Sequence, residues 1–262
     1  MAETTQSVAR PLAGRRVVVT RAAEQAGEFT QRFQDAGAEV ILLPVLEYVA
    51  LDGTGLDEAL RELAKFDWLI LTSTNAVRFL RARMTALGIE GDGAKAVAAV
   101  GAVTGAAARE AGFRCDFIAQ KSTGLDLAHE LNERVRGKRV LLPRSDRAGS
   151  HLPDALSELG AQVTDLVAYG TRPLKPSGPE WERVLKGEVD VITFASPTAF
   201  YNFEEAAGRK ALTAIAPRVK FAAIGPTTAR AIRDAGFEVA VAAAQANADA
   251  MVGAVAQFLA KK

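Results

Sequence analysis

Residues Gly14 to Arg21, Gly-Arg-Arg-Val-Val-Val-Thr-Arg, return 123 positions later as Gly137 to Arg144, Gly-Lys-Arg-Val-Leu-Leu-Pro-Arg. The same offset carries Gly37-Ala38-Glu39-Val40 onto Gly160-Ala161-Gln162-Val163, Asp67 onto Asp190 and Ser73 onto Ser196. One inserted residue later, Val97 to Phe113 aligns with Phe221 to Phe237 at nine identities in 17 positions. Self-similarity at a fixed period decides architecture before any single motif does. Whatever one half folds into, the other half must fold into as well.

Each half alternates short β-branched runs with stretches of helical spacing. The runs are Val17 to Thr20, Val40 to Leu43, Trp68 to Thr72 and Val97 to Val100; the helical spacing shows in Phe29 and Phe33, and in Val77, Leu80, Met84 and Leu87. Gly37, Gly88 and Gly112 follow the helical stretches, where a left-handed helix end favours glycine. Strands alternating with helices predict βαβ units and parallel sheets, so the expected fold is α/β, with two doubly wound, flavodoxin-like sheets related by the repeat. The segments Pro44-Val45-Leu46-Glu47-Tyr48 and Val167-Ala168-Tyr169-Gly170-Thr171-Arg172-Pro173 are extended, proline-marked and aromatic, the chemistry of a two-stranded hinge ribbon. If the repeats were the domains, the boundary would fall near Gly137. If the ribbons are the boundary, one domain is discontinuous, 1–43 plus 172–262, the other is 50–166, and 44–49 and 167–171 link them. The ribbon division is preferred. It predicts the Val17 and Phe221 strands in one sheet, and the Trp68 and Val140 strands in the other.

The composition leaves little room for other classes. With 262 residues, 49% hydrophobic and 24% charged, the chain can bury its own core. Its 32 Lys and Arg nearly cancel 31 Asp and Glu, which removes the global field of a nucleic-acid or membrane-surface protein. Cys115 stands alone, so no intrachain disulfide can form, and Met1 to Arg10 lacks an apolar leader core; the cytoplasm is the expected compartment. No apolar run approaches the roughly 18 residues of a membrane span. Two histidines, His129 and His151, without C-x-x-C or H-E-x-x-H spacing, leave a metal almost no ligands. Neither G-x-x-x-x-G-K-[ST] nor G-x-G-x-x-G nor G-x-S-x-G occurs, which removes the warrant for nucleotide cofactors and for a serine-hydrolase elbow.

Parallel sheets hold ligands beyond the carboxyl ends of their strands, where helix starts expose unpaired N–H groups. Those turns read Thr20-Arg21-Ala22, Ser73-Thr74-Asn75, Gly101-Ala102-Val103-Thr104, Ser196-Pro197-Thr198 and Gly225-Pro226-Thr227-Thr228. Any one can simply cap its helix. As a set they suit an anion with several separated carboxylates. Arg15, Arg16, Arg139, Arg144 and Arg147 offer a basic patch or a solvated face. Cys115 to Ile118 reads as a strand with Cys115 as a small buried hydrophobe, and Tyr169 in the ribbon as either a packing ring or a hydroxyl facing the cleft between domains.

From Gly14 to about Leu259 these residues resemble the uroporphyrinogen-III synthase family. The resemblance rests on Val18-Val19-Thr20-Arg21, Leu71 to Val77, Ala99-Val100-Gly101, Ala168 to Thr171, Phe194 to Thr198 and Ala223 to Ala229, in this order and spacing. It implies two α/β domains joined by a ribbon and a cofactor-free, monomeric enzyme. The implied substrate is the linear tetrapyrrole hydroxymethylbilane, which carries eight carboxylates; the enzyme expels its hydroxyl as water and closes the ring with inversion of ring D. Carried onto this chain, the family's functional positions are Tyr169, Ser73, Thr104, Ser196, Lys220, Thr227 and Thr228; Asn75 stands where some relatives have arginine. The expected site is therefore Tyr169 as proton donor, with Arg21, Ser73, Thr74, Asn75, Gly101, Thr104, Ser196, Lys220, Gly225, Thr227 and Thr228 holding substrate. The contrasting expectation is a non-catalytic two-domain module for a tetrapyrrole or another anion, and a periplasmic-type binding protein shares the same two-domain plan.

Overall fold

The fully buried Val17, Val18 and Val19 build strand β1 (Arg16–Val19), and every other parallel strand is laid against such a run. In the computed structural model the described residues are 10–51, 54–90, 93–121 and 123–260; the segment 1–9, read above for a leader, lies outside them. The strands that follow are β2 (Glu39–Leu42), β3 (Leu46–Ala50), β4 (Trp68–Leu71), β5 (Ala96–Ala99), β6 (Phe117–Ile118), β7 (Arg139–Ser145), β8 (Gln162–Pro173), β9 (Val191–Phe194), β10 (Lys220–Ala223) and β11 (Val241–Ala242). Between them run α1 (Gly27–Asp35), α2 (Thr54–Arg61), α3 (Thr74–Ala86), α4 (Gly101–Glu110), α5 (Gly124–Leu131), α6 (His151–Glu158), α7 (Pro179–Leu185), α8 (Pro197–Ala207), α9 (Arg209–Ile215), α10 (Pro226–Asp234) and α11 (Ala248–Ala260). Among the described residues no helix is long and apolar enough to cross a membrane.

The strands form two sheets, ordered β11-β10-β9-β1-β2 and β6-β5-β4-β7-β8-β3. The grouping is the one the ribbons predict: β1 shares a sheet with β10, and β4 pairs with β7. Replacing each strand by its repeat counterpart turns the first order into the second, save for β3. Each repeat therefore contributes its opening strands to one sheet and its later strands to the other. A pair of aspartates shows this at atomic scale. Asp190, beside β9, accepts the backbone N–H of Arg16 at 2.8 Å, and its repeat mate Asp67, beside β4, accepts that of Arg139 at 2.9 Å.

The chain divides into one unit that runs to Glu47 and resumes at Arg172, and a second unit, Tyr48–Thr171. Both crossings fall within neighbouring strands, β3 and β8. In the second unit alternate residues of β4 serve two cores. Leu69 and Leu71 pack with Val77, Leu80 and Met84 of α3, while Ile70 faces Leu127, Leu131 and Leu156. Burying each such leucine contributes about 1.5–3 kcal/mol. In the first unit Val17 and Val19 pack with Phe29, Phe33, Met251 and Val255, and Phe194 meets Phe200 and Phe203 edge-on at 5.3 and 5.5 Å.

The expected strand at Cys115 is corrected. Only Phe117 and Ile118 are β-strand, and Cys115 turns the chain at φ 54°. A residue in that left-handed conformation cannot continue a ladder. Its side chain is nonetheless buried, and burial pushes its thiol above the usual range.

Candidate active site

In the second unit, β4 and β5 end at adjacent positions and their following turns meet. Thr72, Ser73 and Thr74 from one turn, and Val100 to Thr104 from the other, line a cavity of about 420 Å³. Four of the predicted residues, Ser73, Thr74, Gly101 and Thr104, are thus brought together. Ser73 caps α3: its Oγ accepts the N–H of Ala76 at 3.0 Å. Thr74 and Asn75 open that helix, Asn75 buried and Thr74 partly exposed. Gly101 opens α4 at φ +75°, and no side chain caps this helix, so its first N–H groups line the cavity without a side-chain partner. Thr104, one turn on, is buried.

Tyr169 reaches this neighbourhood through an irregularity of β8. The parallel register pairs Arg144 with Val167 and then Ser145 with Tyr169, so Ala168 is the extra residue of a bulge. A bulge shifts the two-residue alternation by one. Leu166, Ala168 and Tyr169 accordingly all face the same core. Asp146 fixes the shifted backbone, its N–H donating to Tyr169 O at 3.0 Å and its carboxylate accepting from Thr171 N at 3.0 Å. The tyrosine is 6% exposed. Its ring stacks on Phe79 at 5.1 Å with planes 9° apart and meets Tyr48 edge-on at 5.9 Å. Its Oη lies 3.1 Å from Ser73 Oγ.

In the first unit the equivalent turns are built by the same local rules. Ser196 caps α8 by accepting Ala199 N–H at 3.1 Å. Gly225 precedes α10 with no side-chain cap, Thr227 is exposed on the first turn and Thr228 is buried. Arg21 follows β1, its guanidinium 4.6 Å from the centre of the Phe29 ring. Lys220 is set apart from this group. It is the first residue of β10, in register with Val191 at the start of β9, and its ammonium donates to Pro217 O at 3.3 Å. At about 3.3 Å per residue it stands roughly 10 Å from the carboxyl edge. The structure therefore places the predicted ligand Lys220 at the opposite edge of its sheet.

Of the five arginines, Arg15 and Arg16 belong to the first unit and Arg139, Arg144 and Arg147 to the second. Arg15 and Arg16 begin β1 against Asp190 and Glu39, and Arg139 begins β7, all at amino edges. Arg144 lies at the carboxyl edge of β7, its side chain 11% exposed and paired bidentately with Asp165. It lines a second cavity of about 340 Å³ with Thr72, Thr123, Gly124 and His151. The sequence offers Arg144 as part of a basic patch or of a solvated face, and the repeat makes it the counterpart of Arg21. Phe79 and Asp146 carried no signal, because their roles arise from packing and from a bulge. Among the described residues no three metal-ligating side chains gather.

Comparison with known proteins agrees on one family. The family model for uroporphyrinogen-III synthase HemD matches residues 27–253. The chain is 35% identical over 231 residues to a putative uroporphyrinogen-III synthase of Methanothermobacter thermautotrophicus, covering 84% of this chain and 90% of that one. It is 30% identical over 256 residues to a uroporphyrinogen-III synthase of Synechococcus elongatus, covering 95% and 97%. Among solved structures, a mutant uroporphyrinogen III synthase from Thermus thermophilus is similar at TM-score 0.62 and 25% identity, covering 95% of this chain and 100% of that one. The enzyme from Helicobacter pylori, at 17% identity and TM-score 0.67 over 95% and 100%, shares the fold. The chain belongs to the uroporphyrinogen-III synthase family.

Proposed function

We propose that this chain is a uroporphyrinogen-III synthase that cyclises hydroxymethylbilane, with loss of water and inversion of ring D. The observation that carries the reading is the match to the family over residues 27–253, which takes in the turns after β4, β5, β9 and β10 and the ribbon tyrosine. Helix-start N–H groups and hydroxyls suit carboxylates, and each charge-assisted hydrogen bond contributes about 1.5–3 kcal/mol. Arg21, Thr74, Asn75, Gly101 and Thr104 are assigned to substrate in this way, as are Ser196, Gly225, Thr227 and Thr228; Ser73 joins them through its backbone, its hydroxyl being engaged by Ala76 and Tyr169. Lys220 is left out because of its place at the far edge.

Tyr169 is assigned as the donor to the departing hydroxyl. A phenol stays protonated at neutral pH and can give its proton as the C–O bond breaks, leaving water and an azafulvenium cation. The free bilane closes without help to the uninverted isomer, so the larger task is orientation, which presents the substituted carbon of ring D to attack. The reading takes the enzyme as a monomer in the cytoplasm, which a lone, buried cysteine supports for the compartment. The test is to incubate the protein with fresh hydroxymethylbilane, oxidise the products and separate isomers I and III. Isomer III in excess over I is expected without added metal or nucleotide. Isomer I alone, at the uncatalysed rate, would replace this reading with a binding module.

A further inference from the structure

The hydrogen bonds around Ser73 are few enough to assign a proton. A serine hydroxyl has one donor and two acceptor sites. Ser73 Oγ already accepts from Ala76 N at 3.0 Å, an arrangement fixed by its extended backbone (φ −160°, ψ 161°) and by the helix it caps. Its other partner among the described residues is Tyr169 Oη at 3.1 Å, and that phenol has no second hydrogen-bond partner among them. Two arrangements satisfy these distances. In one, the phenol donates to Ser73 and its proton is committed. In the other, Ser73 donates to the phenol and the phenol proton is free.

We propose that Ser73 is a positioning residue that donates its hydroxyl proton to Tyr169 Oη, so that the phenol proton points outward and can be given away. This rests on the synthase reading above. As the proton passes to the departing hydroxyl, the C–O bond breaks, water leaves and a phenolate remains. The bond from Ser73 then becomes charge-assisted and strengthens only as reaction proceeds, which is the condition for raising kcat. The proton released when the closed macrocycle regains its pyrrole rings returns to the phenolate. The repeat supplies an internal contrast. Ser196 caps α8 with nearly the same backbone (φ −163°, ψ 160°) and the same bond at 3.1 Å, but the position equivalent to Tyr169 is Leu46, which has no hydroxyl. Capping accounts for both serines; only Ser73 has a phenol to orient.

The experiment compares Ser73→Ala, Ser73→Thr, Ser73→Asp, Tyr169→Phe and the double variant Ser73→Ala/Tyr169→Phe. In isomer III formation, Ser73→Ala should lower kcat about tenfold with KM little changed, Ser73→Thr should keep most of the rate, and Ser73→Ala should cost less than about twofold once Tyr169 is phenylalanine. An equal loss in both backgrounds, or a rise in KM alone, overturns the proposal. A second measurement needs no substrate. The Raman doublet of tyrosine reports whether its hydroxyl accepts or donates, and subtracting the Tyr169→Phe spectrum isolates this residue. Ser73→Asp keeps a capping acceptor but has no proton to give, so the doublet should move to the donor pattern. A donor pattern already present in the unaltered protein and unmoved by Ser73→Asp overturns the proposal. If no isomer III forms at all, the synthase reading falls and the Raman result still decides the direction of this bond.

Discussion

The side chain of Tyr169 is held by Phe79, Tyr48 and Ser73, and of these only Ser73 bonds its hydroxyl. Phe79 and Tyr48 hold the ring, so Tyr169→Phe keeps nearly every apolar contact while removing the oxygen that Ser73 faces. A packing tyrosine would lose little by this change. A proton donor supplies about 10² to 10⁴-fold, so turnover should fall at least about tenfold with the thermal midpoint within a degree or two, read by isomer assay and calorimetry. A variant keeping more than half the rate removes the donor role. Asp67 gives a second residue-scale expectation, this one on stability. The Arg139 N–H, and then the Lys95 ammonium, hold its carboxyl below the usual 3.8. A lowered folded value means that the stabilisation is full above the unfolded value near pH 4, and is lost as pH falls through the folded value. Asp67→Asn keeps an acceptor for Arg139 but cannot titrate, so the denaturation midpoint plotted against pH should lose part of its acid slope.

At the scale of elements, α4 and α10 show how far a repeat in sequence is a repeat in backbone. Gly101 and Gly225 align, yet Gly101 is left-handed at φ +75° while Gly225 is extended at φ −178°. Gly101→Ala should therefore cost about 1–2 kcal/mol, and it should weaken substrate binding by shifting the N–H groups that line the cavity. Gly225→Ala meets open space and no such strain and should cost less; equal thermal shifts in the two variants would contradict the difference. Strands, helix ends and sheet membership were legible because buried β-branched runs and left-handed glycines such as Gly37 and Gly112 act locally. Other features were not. The turn at Cys115 follows from the tight return after α4, and apolar periodicity extends the strand across it. The bulge at Ala168, which aims Tyr169, leaves no trace in composition. Lys220 illustrates the reverse case, since a residue carried over by resemblance has no edge until its strand has a register.

At the scale of the whole molecule, sheet order decides which pieces can stand alone. A fragment cut at the repeat boundary, 1–136, carries β1 and β2 of one sheet together with β3, β4, β5 and β6 of the other. It completes neither. A fragment spanning 48–171 holds β4 to β7 and β8 as far as Thr171, with both of their cores. The second should unfold cooperatively with dispersed amide NMR signals, and the first should not; a cooperative transition from 1–136 would show that the cross-repeat pairs, Asp67 with Arg139 and Asp190 with Arg16, are dispensable. The same geometry bears on where such a chain comes from. A polypeptide of half this length would carry edges that only a second copy could satisfy, each lending its opening strands to the other's later ones. That is a strand-exchanged homodimer. Joining the two copies end to end turns a concentration-dependent assembly into a single chain, and it frees one tyrosine position to differ from its twin, as Tyr169 differs from Leu46.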